Sequence, residues 1–153
     1  MKLRTILAPV AATVAFATPS LAEIIITDGY ARASGIMAKS AAAFMTIQNT
    51  GESGDHLIDV ISDAAKRAEL HSHIESKDGI MRMVHVEEGF ALPAGGVLML
   101  ERGGKHVMFM GLNKPFVNGE SVTLTLVFRD AGEITVTVPV DLNRQNDAMT
   151  GNR

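Results

Sequence analysis

The chain has 153 residues, enough for one ordinary domain and little more. It contains no cysteine, which excludes thiol nucleophiles, cysteine zinc sites, iron–sulfur clusters, disulfide staples and the thiolate-dependent blue-copper centre. A formal net charge of −3 argues against nucleic acid as a partner.

At the N-terminus, Lys2 and Arg4 precede an apolar run over residues 5–18, and Ser20-Leu21-Ala22 places small residues where a signal peptidase reads. The expectation is an exported, periplasmic protein with a signal peptide over 1–22, one domain over 23–142 and a polar, disordered tail over 143–153. Cleavage before Glu23 removes Lys2 and Arg4 and takes the formal charge to −5. The apolar run falls short of the ~20 residues that span a bilayer. No later stretch is long and apolar enough, and no Cys follows the run to carry a lipid, so stable membrane insertion is not expected.

The rest of the chain is patterned mostly with period two. Candidate strands are 24–27, 42–48, 56–62, 68–73, 81–86, 97–101 and 106–110. The clearest pair comes last. Val122, Leu124, Leu126 and Phe128 alternate with Ser121, Thr123, Thr125 and Val127. Ile134, Val136, Val138 and Val140 alternate with Glu133, Thr135 and Thr137. Asp130-Ala131-Gly132 between them predicts a hairpin. Turn residues punctuate the remainder: the polar stretch Asn49 to Asp55, Lys77-Asp78-Gly79, Pro93-Ala94-Gly95-Gly96, Arg102-Gly103-Gly104 and Asn118-Gly119. Seven to nine short strands at this spacing predict an all-β antiparallel sandwich or barrel.

The chemistry is concentrated in one region. Four of the five His and five of the nine Met fall between positions 71 and 110. Many are two apart: His71 and His73, then Met81, Met83 and His85, then His106, Met108 and Met110. Residues i and i+2 of a strand project to the same face, roughly 6.6 Å apart. His106-x-Met108 can therefore offer two donors from one strand, and neighbouring strands can complete a set. Thioether sulfur is soft and neutral and prefers Cu(I) to Zn²⁺, Mg²⁺ or Ca²⁺, while imidazole binds copper well. Spacing alone leaves seven or eight candidate donors.

The motifs resemble those of the periplasmic copper chaperones called PCu(A)C. His71, then Ser72 and ten residues to Met83, then twenty-two residues to His106-Val107-Met108, is similar to that family's composite ligand motif. Ala68-Glu69-Leu70-His71, Met81-Arg82-Met83, Leu92-Pro93-Ala94-Gly95-Gly96 and Gly103-Gly104-Lys105-His106-Val107-Met108 resemble the family too, as do the stretch Phe44 to Gly51 and the hairpin from Ser121 to Val140. The resemblance covers roughly residues 28–140. It implies a cupredoxin-like antiparallel β-sandwich of Greek-key type, and a Cu(I) site with ligands His71, Met83, His106 and Met108. It also implies delivery of copper to the CuA centre on subunit II of cytochrome c oxidase, directly or with a Sco-like thioredoxin-fold partner; a monomer is expected, and nothing in the sequence fixes the oligomeric state. Ser72 stands where some members carry an optional Met. The tail has Met149 but no His, so a second copper site there is not expected.

Other residues have plainer readings. Met45 and Met99 are expected as core filler, Met37 as loop or edge packing, and Met81 and Met110 as core packing or support behind the ligands. His56 is expected to be solvated. His73 and His85 sit off the motif, and His73 is a candidate supporting or alternative donor. Arg82 and Lys105 flank ligands as ordinary edge charges, or as docking groups for an acidic partner. Glu69, Glu75 and Asp78 could instead join His71 and His73 around Zn²⁺, which gives the alternative of a general copper or zinc scavenger. An enzyme is not expected. Ser72 and His71 are neighbours in a strand and face opposite ways, so they form no triad.

Overall fold

Where apolar residues alternate with Ser and Thr, as over 121–128, one face of the backbone must be covered, and a second sheet covers it. The computed structural model describes residues 24–144. The expected signal peptide and residues 145–153 of the expected tail lie outside the described residues. The strands are β1 (Ile24–Ala33), β2 (Ser40–Asn49), β3 (Asp55–Ile61), β4 (Ala65–Glu75), β5 (Met81–His85), β6 (Phe90–Leu92), β7 (Val97–Leu100), β8 (Lys105–Leu112), β9 (Ser121–Phe128) and β10 (Gly132–Pro139).

One sheet has the order β1-β2-β8-β4-β5, with β7 also on β2, and the other has the order β10-β9-β3-β6. Strand β2 pairs with β8 through Ser40–Ala43 and with β7 through Met45–Gln48. The neighbours β2/β8, β8/β4 and β9/β3 are distant in sequence, so the chain crosses repeatedly between sheets, as Greek-key sandwiches do. This is the expected all-β, cupredoxin-like antiparallel sandwich. Among the described residues, no helix is long and apolar enough to cross a membrane.

The core lies between the sheets. Ile47, Leu57, Leu92, Val107, Phe109 and Leu126 are wholly buried, and Phe109 meets Phe116 edge-on at 5.7 Å. The predicted hairpin forms in full register, with Thr125 opposite Thr135 and Thr123 opposite Thr137. Their hydroxyls pair at 3.0 and 3.1 Å on the outer face, a cross-strand contact of the kind that fixes register.

Elements missed or shortened in the sequence have local causes. Strand β6 has three residues, too few to show a period. Strand β1 runs past the expected end at Thr27 because a bulge lies there. Thr27 opposes Thr46 and Tyr30 opposes Phe44, so β1 spends one residue more than β2. Asp28 takes a φ of 55° at the bulge. The extra residue reverses parity: Ile24 and Ile26 pack inward before it, and Ala31 and Ala33 after it. A second bulge in β3 separates Leu57 from Asp59. Gly89, with φ 75°, packs against it so closely that a Cβ would sit 2.0 Å from the Leu57 carbonyl oxygen.

Two expectations about single residues change. Met45 is buried as expected, but Met99 is 54 % exposed because β7 turns Leu98 and Leu100 inward. His56 is not simply solvated, since its Nε2 lies 2.8 Å from the Glu88 carbonyl oxygen. Met37 stands exposed in the β1–β2 loop.

Asp55 ties the second sheet to its hairpin. It is buried at the start of β3, and its carboxylate accepts backbone N–H groups of Asp130 at 3.0 Å, Ala131 at 2.9 Å and His56 at 2.6 Å. Burial disfavours the ionised form, but these donors and Arg129 together outweigh it and hold the Asp55 carboxyl below its ordinary pKa. Stability from this group is therefore fully present above the unfolded carboxyl pKa of about 3.9, and it drains away as pH falls through the lower folded value. Asp55→Ala leaves two hairpin N–H groups without an acceptor and should cost about 2–3 kcal/mol by urea unfolding at pH 7. The gap between wild type and variant should narrow below about pH 4. A gap that is constant with pH contradicts this account.

Candidate metal centre

Strand β8 carries Val107 and Phe109 into the core, so His106, Met108 and Met110 project from the opposite face. Strand β8 sits between β2 and β4, and the registers extend this outer face sideways. His71 of β4 opposes His106, and Glu69 opposes Met108. On the next strand His85 opposes His71 and Met83 opposes His73. On the other side Ala42 of β2 opposes Met108. The three separate strand faces of the sequence are thus one face of one sheet.

Along this face the rings form a row. Phe44 and His106 have centroids 6.1 Å apart, His106 and His71 5.9 Å, and His71 and His85 5.7 Å. His73 lies off the row, 5.2 Å from His106. His106 is 2 % exposed. Tyr30 walls the row beyond Phe44 at 5.1 Å, and the Arg144 guanidinium covers Tyr30 at 4.2 Å while pairing with Asp28 at 2.6 Å. Arg144, placed by sequence at the start of the tail, is thus anchored to the domain.

The hydrogen bonds fix which ring nitrogens are free. His106 Nδ1 lies 3.0 Å from the Gly104 carbonyl oxygen. That oxygen can only accept, so Nδ1 carries the proton and Nε2 keeps its lone pair. His71 Nε2 lies 3.0 Å from Glu69 Oε2. Its bond from His71, helped by Arg67 and His85 and opposed by desolvation, holds the Glu69 carboxyl below its usual range, so Glu69 is an ionised acceptor and His71 Nε2 is the donor. His71 Nδ1 is then a buried lone pair with no hydrogen-bond partner among the described residues. Two imidazoles with one nitrogen tied and the other bare are arranged as metal-binding histidines are. Burial pushes the His106 imidazole below the ordinary histidine range. The Gly104 carbonyl opposes that shift only in part, and His73 and His71 reinforce it. The neutral ring that a metal requires is therefore favoured.

An open cleft runs over this face, lined by Arg32, Phe44, His73, Met83, Arg102, His106 and Met108 among others. Of the four expected ligands, Met83, His106 and Met108 line it. His71 adjoins His106 but lies under His85, its side chain 12 % exposed. Met83 is 46 % exposed.

Several expectations change here. Met81 is 56 % exposed on β5, not core packing, because β5 is an edge strand. Met110 sulfur receives Arg67 Nη2 at 3.8 Å. Arg82 and Lys105 alternate with ligands and so face away from the cleft; Lys105 Nζ lies 5.3 Å from the Phe90 ring of the other sheet. The cations at the cleft are Arg32 and Arg102, which the sequence did not single out because the fold brings them there from β1 and from the β7–β8 loop. Glu75 opposes Met81 near the hairpin end, and of the three suggested carboxylates it is Glu69 that reaches the histidines. The pair Glu69-x-His71 was open to the same period-two reading. The Gly104 carbonyl, a backbone group, was not. Among the described residues, no three His, Cys, Asp or Glu side chains are grouped so as to hold a metal.

Comparison with known proteins gives the lineage. The family model described as "LpqE-like: Putative lipoprotein LpqE-like" matches residues 24–140. "Putative lipoprotein Lxx21020" of Leifsonia xyli subsp. xyli is 34 % identical over 127 residues, spanning 82 % of this chain and 75 % of that protein. Among solved structures, the copper-bound PCuAC domain from PmoF2 superposes with a TM-score of 0.65 at 24 % identity, covering 80 % of this chain and 96 % of that domain. The solution structure of CuI-DR1885 from Deinococcus radiodurans superposes with a TM-score of 0.59 at 31 % identity, covering 86 % and 84 %. Its apo form gives 0.61 at 28 % identity, covering 94 % and 95 %. The match over nearly every described residue makes this chain a member of the LpqE-like family, built on the fold of the PCuAC domains.

Proposed function

We propose that this protein is an exported Cu(I)-binding metallochaperone whose ligands are His71, Met83, His106 and Met108. One observation carries the reading. Three adjacent strands present two imidazoles and two thioethers on a single sheet face, and in both imidazoles the second nitrogen is already tied by Glu69 or Gly104. The donors are neutral and soft, which suits Cu(I). Copper-bound and CuI forms of related domains support it. Copper here is cargo. Neutral donors at an open cleft hold it less tightly than thiolates would, and a partner can reach it, which favours transfer over storage or turnover. The recipient suggested by the family resemblance is the CuA centre of cytochrome c oxidase, directly or through a Sco-like partner, with the protein acting in the periplasm as a monomer.

Titration with Cu(I) under reductant, in competition with a chromophoric chelator, should give one ion per chain, bound far more tightly than Zn²⁺. Met83→Leu and Met108→Leu keep side-chain volume but remove sulfur. Each should weaken Cu(I) binding by about tenfold or more while leaving thermal unfolding of the apo-protein nearly unchanged. Undiminished affinity in both variants sinks the ligand assignment.

Glu69 should matter although it does not touch the ion. Glu69→Ala frees the His71 ring and should cost about 10-fold in Cu(I) affinity, in the range typical of lost carboxylate–histidine support. Glu69→Gln keeps an acceptor oxygen and should cost less. Equal affinity in all three proteins speaks against a positioned His71.

Protons compete with copper for the ring nitrogens. Because the His106 pKa is depressed, its coordinating form persists at pH values where an exposed histidine, with a pKa of about 6.5, is already protonated. Affinity should therefore fall with acid, with His106 protonating only below the ordinary histidine range. The apo-protein should also lose stability as pH falls from about 6.5, since the unfolded chain takes up a proton that folded His106 resists. Chelator competition and NMR titration of the His106 ring check both, and an His106 midpoint at or above that of a free histidine contradicts them.

A further inference from the structure

The four ligands of the proposed site are not equivalent, and a fifth donor stands among them. The cleft is lined by His73 together with Met83, His106 and Met108, while His71 is not among its lining residues and stands between His106 and His85, stacked on the latter. We propose that His73 is a copper donor that alternates with His71. The cleft-facing position holds Cu(I) between His73, Met83, His106 and Met108. The inner position replaces His73 by His71, and His106 is common to both. This builds on the Cu(I) reading above and names how the ion enters and leaves.

The spacing permits both positions. Two imidazoles on one ion, with metal–nitrogen bonds of about 2 Å, place their ring centroids about 5–6 Å apart. The His73–His106 pair stands at 5.2 Å and the His71–His106 pair at 5.9 Å. His73 also faces Met83 directly across the β4–β5 ladder, where opposed side chains lie close enough to share a small ligand.

The two rings are held differently. Glu69 fixes His71 at 3.0 Å. His73 Nδ1 lies 3.4 Å from the Gly104 oxygen, which already accepts His106 Nδ1 at 3.0 Å and the His73 backbone N–H at 3.2 Å. A carbonyl oxygen has two lone pairs, so the His73 ring holds the third and longest contact. It is the looser ring, at the cleft, and His71, held by Glu69 with its side chain 12 % exposed, is the tighter ring. Exchange breaks the Cu–N bond to one neutral imidazole and forms the bond to the other. No electron or proton moves, and copper stays Cu(I). The ion thus reaches the cleft without leaving His106.

The test compares wild type, His71→Gln, His73→Gln and the double variant. Cu(I) affinity is read by competition with bathocuproine disulfonate, and release to that chelator is followed by stopped flow. His73→Gln should keep affinity within about threefold but slow release several-fold. His71→Gln should still bind one Cu(I), about tenfold more weakly, because His73 takes its place. The double variant should lose more than the product of the two single losses. Independently of any variant, Cu(I) binding to the wild type should shift the ¹⁵N resonance of a His73 ring nitrogen, which keeps the test open if a variant does not fold. A silent His73 resonance, or losses that simply multiply, overturns the proposal. A wild type that takes up no Cu(I) overturns the metallochaperone reading itself, a distinct result.

Discussion

Val107 and Phe109 are completely buried between the two sheets, and the candidate metal face depends on their being so. A strand has only two faces. Once these side chains are committed to the core, His106, Met108 and Met110 must project from the other side. Strand β8 is flanked by β2 and β4, so its register also decides what stands beside each donor. A slip of one residue would bury the donors and expose the aromatic core. The free energy of burying Val107 and Phe109 therefore holds the site in place, with no separate device needed to do so.

The outer face is built to keep its donors neutral. Gly104 and Glu69 each bind one nitrogen of a ring and leave the other with its lone pair. Burial disfavours a charged His106. Phe44 and Tyr30 give the row an apolar wall on one side, while β5 at the sheet edge leaves Met83 open on the other. The face therefore passes from buried, oriented imidazole to exposed methionine across three strands. That gradient suits the proposed role, in which the site both holds an ion and yields it.

Much of this was legible in the chain. The hairpin over 121–139 and the strands carrying His71, Met83 and His106 were visible because alternation reports a half-buried strand directly. The failures share a cause. Met99 was read as core filler and Met81 as core packing or support behind the ligands because Met is apolar, yet on β7 and on the edge strand β5 they face out. Side-chain type alone does not report which face a neighbouring sheet covers. Strand β1 was cut short at Thr27 because a bulge reverses its parity, and a period search reads a reversed parity as an end.

Composition and period are local properties, and they were enough to read the class of fold, the lack of cysteine and the stock of donors. The sequence left seven or eight donors open by spacing, and the family resemblance narrowed these to four. It took the folded sheet to show that three strand faces are one surface, that Glu69 and Gly104 tie the rings, that Arg32 and Arg102 rather than Arg82 and Lys105 border the cleft, and that His73 shares it. Each of these depends on which strands pair and in what register. Pairing between residues far apart in the chain is set by burial across the whole core and leaves no mark in any single segment.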